Sequence, residues 1–162
     1  THRGTLFPYT TLFRSHCILK PDFSKPMVPH TAMNPDVAVF SLFPGIQESI
    51  VRAILQVNEV RGIVMRSFGS GNAPQCLWLK SLLASASKRG IVVVNISQCV
   101  AGSVEMTRYN TGFQLQNTGI VSGYDSTVEA AITKLMFLQA QYSDPNVIRK
   151  LMNTSLAGEL TK

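Results

Sequence analysis

Three short apolar runs begin near residues 37, 62 and 91, and an amphipathic helical pattern separates each from the next. The runs are Val37-Ala38-Val39-Phe40-Ser41-Leu42, Gly62-Ile63-Val64-Met65-Arg66 and Ile91-Val92-Val93-Val94-Asn95-Ile96. Near-continuous β-branched and aliphatic runs of this length suit strands that are buried on both faces. A spacing of about 25 to 30 residues, with a helix inside each interval, is the rhythm of βαβ units and a parallel sheet.

The intervening patterns fill in the helices. Ile46, Ile50, Val51, Ile54 and Leu55 fall on one side of a helix. After Pro74 a second helix turns Leu79, Leu82, Leu83 and Ala86 inward and Lys80, Ser81 and Lys88 outward, with Gly90 placed to end it. Asn72 and Pro74 mark its expected start. Ile120-Val121 makes a minimal fourth strand. Ser126-Thr127-Val128-Glu129 reads as a capping box opening the longest helix, with Val128, Ala131, Ile132, Leu135 and Met136 on one face. Ser143-Asp144-Pro145 opens a last helix that buries Val147, Ile148, Leu151 and Met152, and residues 111 to 117 form a short one. The predicted fold is α/β: a three-layer αβα domain with about four parallel strands, flavodoxin-like in class.

The 162 residues suit one domain of ordinary size, and 45% apolar against 15% charged residues indicates a globular chain. The net charge of +6 comes from singly scattered basic residues, without the stripe or interleaved aromatics of a nucleic-acid binder. No apolar run approaches the roughly 20 residues of a membrane-spanning helix. Neither a nucleic-acid nor a membrane partner is expected. Cys17, Cys76 and Cys99 form no CxxC pair or Cys/His cluster, so no metal site and no disulfide framework is indicated. No cofactor is expected.

Thr5 to Ser15 looks like the translation of a sequencing-adapter oligonucleotide. The expected organisation is therefore an adapter-derived artefact at residues 1–15, a Pro-rich linker at 16–36 with Pro21, Pro26, Pro29 and Pro35, and a domain at 37–162. Whatever precedes His16 in the natural protein is then missing from this sequence.

Three polar loops follow strand ends: Arg66 to Asn72, Ser97 to Ser103, and Ser122 to Asp125. In parallel sheets ligands gather at those ends. Arg66, closing a buried strand, needs an anion: either a ligand carboxylate held by its guanidinium fork, or an internal salt bridge to Asp125 or Glu129. Gly69-Ser70-Gly71-Asn72 suits a glycine turn in which Asn72 caps a helix, with a phosphate cradle as the alternative. It lacks the lysine of a P-loop. Ser97 and Cys99, two apart, either line a small polar pocket or are simply buried. His2, His16 and His30 all precede the α/β body, and no nucleophile-base pair can be assembled, so no catalytic residue is expected in this chain.

These residues carry a resemblance. Asn34-Pro35-Asp36-Val37-Ala38-Val39, Leu42-Phe43-Pro44-Gly45, Gly69-Ser70-Gly71-Asn72-Ala73-Pro74, Asn95-Ile96-Ser97-Gln98-Cys99, Ser122-Gly123-Tyr124-Asp125 and Gly158-Glu159-Leu160-Thr161 resemble the C-terminal domain of type I, cytoplasmic L-asparaginases. The resemblance implies hydrolysis of L-asparagine to L-aspartate and ammonia, by threonines that lie upstream of this chain. It also implies a cytoplasmic homo-oligomer, dimer or tetramer, and an allosteric asparagine site in some members. By motif position Arg66 resembles the arginine that holds the effector's carboxylate, and Ser97 and Cys99 resemble the hydroxyl and thiol lining that site. The family often has threonine where Ser97 stands. Asn72 resembles the asparagine that reaches toward a partner subunit's active site.

Overall fold

The computed structural model describes residues 24, 26–105 and 118–161. The chain divides into two compact units, Thr1–His30 and Thr31–Lys162, and every element below belongs to the second. The adapter-like stretch 1–15, residues 16–23 and 25 of the expected linker and the expected helix at 111–117 lie outside the described residues.

Four strands, β1 (Val37–Ser41), β2 (Gly62–Ser67), β3 (Val92–Ser97) and β4 (Val121–Ser122), form one sheet in the order β1-β2-β3-β4. All three pairings are parallel, with Ser41 beside Arg66, Arg66 beside Ile96 and Asn95 beside Ser122. The helices are α1 (Glu48–Leu55), α2 (Leu77–Lys88), α3 (Val128–Gln141) and α4 (Pro145–Met152).

Strand alternation splits the core in two. Phe40, Ile63, Met65 and Val93 pack with Val51 and Leu55 of α1 and with Leu79, Leu83 and Ala86 of α2. Val64, Val92, Val94 and Ile96 pack on the other face with Ala131, Leu135 and Leu138 of α3 and Ile148 and Met152 of α4. The three-layer αβα fold follows directly: residues of opposite parity on one strand serve two separate helical layers.

The helical faces agree with the pattern in outline and differ in detail. Ile50 is 47% exposed and Val147 36%, because α1 and α4 each touch the sheet along a stripe narrower than their apolar set. In α3 the buried stripe is Ala131, Lys134, Leu135 and Leu138, so a lysine occupies a core position. Helix α4 opens as expected, with Asp144 accepting from the Asn146 amide at 2.8 Å and Pro145 at its first position.

Two expected caps are corrected. Asn72 does not cap α2, whose N-cap is Cys76 with no side-chain bond. The backbone of Asn72 instead closes a tight loop on Phe68, by N–H to O at 2.8 Å and O from N–H at 2.9 Å. The capping box is shifted by one: Thr127, not Ser126, caps α3 by accepting from the Ala130 amide at 3.2 Å. Ser126 is drawn elsewhere, its hydroxyl donating to the Glu159 carbonyl at 3.3 Å.

Candidate functional site

The carboxyl ends of β2 and β3 and the loop from β4 to α3 meet at the rim of the sheet. The loop after β2 leads to α2, whereas the loop after β4 feeds α3 on the opposite face. Their divergence leaves a cavity of about 230 Å³ bordered by Arg66, Ser97, Gln98, Cys99, Asp125 and Glu129, among others. The crevice thus lies where the chain changes faces, within a sheet whose strand order never reverses.

Arg66 shares strand parity with Val64 and leaves the sheet toward the α3 side; Ser97 shares parity with Val93 and Asn95 and leaves it toward the α1 and α2 side. They border the same cavity because both stand at the strand ends. The Nε of Arg66 is buried and has no hydrogen-bond partner among the described residues. Of the internal acceptors suggested by the sequence, Asp125 is committed to Thr161 and Glu129 stands exposed in the first turn of α3. No ion pair from either reaches Arg66 among the described residues. A buried guanidinium N–H without an acceptor is costly, and an anionic ligand would remove the cost.

Ser97 is already at work. Its Oγ donates to the Gly69 carbonyl at 2.6 Å and accepts from the Cys99 amide at 3.0 Å. The Cys99 thiol is free and exposed. Gly102 folds so closely over this turn that a Cβ there would overlap Ser97 Oγ and approach Cys99 Cβ to 2.9 Å. Any larger residue would push the turn out of shape.

The glycine loop has little to offer a phosphate. The amides of Gly71 and Asn72 both donate inward to the Phe68 carbonyl, at 3.1 and 2.8 Å. The carbonyls of Gly69, Ser70 and Gly71 receive Ser97 Oγ, the Glu105 amide and Asn95 Nδ2 at 2.6, 3.0 and 3.2 Å. An anion cradle needs free amides pointing outward, and those of Gly71 and Asn72 are spent.

Gln98 belongs to the site although the sequence reading passed over it. Its Nε2 donates to the carbonyls of Leu42 and Arg66, at 2.6 and 3.0 Å, tying together the ends of β1 and β2. A glutamine just beyond a strand carries no sequence signal for such a bridge. Likewise Asp125 is joined by the Thr161 amide at 2.7 Å and by the Thr161 hydroxyl, a pairing 36 residues apart that no local pattern encodes. Among the described residues there is no group of three or more His, Cys, Asp or Glu side chains placed to hold a metal ion. No helix there is long and apolar enough to cross a membrane.

Several known proteins are similar to this chain. L-asparaginase 1 of Escherichia coli K12 is 43% identical over 135 residues, which is 83% of this chain and 40% of that protein. A human protein named 60 kDa lysophospholipase is 39% identical over 145 residues, 89% of this chain and 25% of its own length. The crystal structure of L-asparaginase I from Vibrio cholerae superposes with a TM-score of 0.75 at 40% identity, over 78% of this chain and 38% of that one. The chain therefore spans well under half the length of these relatives. Residues 36–152 match the glutaminase/asparaginase C-terminal domain, and the chain belongs to that family.

Proposed function

We propose that this chain is the C-terminal, ligand-sensing part of a cytoplasmic type I L-asparaginase, with residues 16–36 as a linker and 37–162 as the domain. The longer protein hydrolyses L-asparagine to L-aspartate and ammonia with threonines outside this chain, which supplies no catalytic residue and uses no cofactor. The domain contributes subunit contacts in a homodimer or a dimer of dimers, with Asn72 directed to the partner's active site. Its rim cavity binds L-asparagine allosterically, Arg66 taking the α-carboxylate and Ser97 and Cys99 lining the wall.

The observation that carries this reading is the buried, unpartnered Nε of Arg66 at a cavity of about 230 Å³. Binding of L-asparagine to the chain, followed by isothermal calorimetry, should disappear in Arg66→Ala. Binding that survives the substitution overturns the carboxylate clamp. A nucleotide in place of the amino acid gives no heat if the inward-facing amides of Gly71 and Asn72 rule out a phosphate cradle.

A further inference from the structure

Part of the lining of the Arg66 cavity is the stretch Asp125 to Glu129, which residues far along the chain hold in place. Tyr124, just before it, holds φ at +52°, a left-handed conformation that costs a non-glycine residue energy and lasts only where neighbours enforce it. On one side the Tyr124 carbonyl accepts from the Val104 amide at 2.9 Å, and the Ser122 hydroxyl donates to the Val104 carbonyl at 2.8 Å. On the other side lies the segment Leu156 to Thr161. Glu159 gathers this segment by accepting from the amides of Leu156 at 3.0 Å and Ala157 at 2.6 Å. The Lys134 ammonium, itself buried, meets Glu159 Oε1 at 2.5 Å and also donates to the carbonyls of Met152 and Thr154, at 3.2 and 2.5 Å. Leu160 is buried next to it, and Thr161 then gives both its amide and its hydroxyl to Asp125, one to each carboxylate oxygen.

Asp125 and Arg66 border the same small cavity, and a carboxylate there is the natural partner of a guanidinium. Burial raises the Asp125 carboxyl, but the Thr161 hydroxyl and amide outweigh it and hold it below its ordinary value. The group is therefore a charged competitor for the seat that a ligand's carboxylate would take.

We infer that Thr161, anchored through Glu159 and Lys134, is a positioning residue that keeps the Arg66 cavity open to an amino-acid carboxylate by diverting Asp125 from Arg66. Freed from Thr161, Asp125 turns onto Arg66 and closes the cavity from within. The ligand in this inference rests on the reading of the cavity as an L-asparagine site; the diversion of Asp125 does not.

The test uses the full chain with Thr161→Pro, which removes both donors at an exposed position, Thr161→Val, which removes only the hydroxyl, and Thr161→Ser, which keeps both. Calorimetric affinity for L-asparagine should fall about tenfold or more in Thr161→Pro, fall less in Thr161→Val and hold in Thr161→Ser. Adding Asp125→Asn to Thr161→Pro should restore it, because the competing charge is gone, whereas adding Glu129→Gln should not. A loss that Asp125→Asn fails to rescue overturns the inference, since a merely distorted wall behaves that way. A ligand-free readout separates the two readings: the ¹⁵N-resolved Arg66 Nε–H resonance should shift in Thr161→Pro and return in the double variant. No shift overturns the diversion of Asp125. A shift in a chain that never binds L-asparagine supports the diversion and sinks the effector reading alone.

Discussion

The hydroxyl of Ser97 donates to the carbonyl of Gly69 across 2.6 Å, fastening the end of β3 to the glycine loop that follows β2. The same oxygen accepts from the Cys99 amide at 3.0 Å, so one side chain holds both loops at the rim. Ser97→Ala leaves a carbonyl and an amide without their partner and should lower stability by about 1–2 kcal/mol, read as a shift of the urea midpoint at constant slope. Ser97→Thr keeps the hydroxyl and should hold the midpoint near that of the parent.

Gly62 lies directly beneath α3. A Cβ there would meet Gln139 Nε2 at 2.5 Å and Leu135 Cδ2 at 2.7 Å, and Leu135 is fully buried with nowhere to go. Gly62→Ala should cost about 1–3 kcal/mol through overpacking, measured by chemical denaturation. Gly45, with open space where a Cβ would stand, is the contrasting site, where only its φ of +87° opposes a side chain.

The Lys134–Glu159 pair gives stability a definite pH dependence. Burial raises the Glu159 carboxyl, but the Lys134 ammonium and the amides of Ala157 and Leu156 bring it down from 4.5 to about 2. A depressed carboxyl binds fewer protons folded than unfolded, so its contribution is complete above pH 4.5 and is lost as pH falls toward 2. Glu159→Gln should therefore narrow the gap in melting temperature between pH 6 and pH 3. An unchanged gap would show that other carboxylates govern acid unfolding.

Arg66 should be a residue whose removal does not weaken the fold. Its Nε is buried without a partner, and Met fills a similar length with no polar group to desolvate. Arg66→Met is expected to leave the melting temperature unchanged or raise it while abolishing L-asparagine binding. A marked drop in melting temperature would mean that the guanidinium supports the fold.

Much of this architecture is legible in the sequence because it depends on short-range periodicity. The strands at 37, 62 and 91, the two-sided burial and Asp144 with Pro145 at the start of α4 all follow from which residues alternate or recur every third and fourth position. Caps proved less legible, since Ser126 and Thr127 are equally good candidates locally. The choice fell to Thr127 because Ser126 has a distant partner in the Glu159 carbonyl. Asn72 reads as a cap, yet backbone pairing with Phe68 claims it.

The sequence by itself determined the parallel α/β sheet, the placement of Arg66 at a strand end and the family to which the chain belongs. Tertiary structure alone decided that Arg66 Nε stays unpaired among the described residues, that Lys134 enters the core and that Asp125 bonds to Thr161. The last two join partners 18 to 36 positions apart. Periodicity records which face a side chain takes; it does not record which of several charged neighbours will be within hydrogen-bonding distance once the layers have closed.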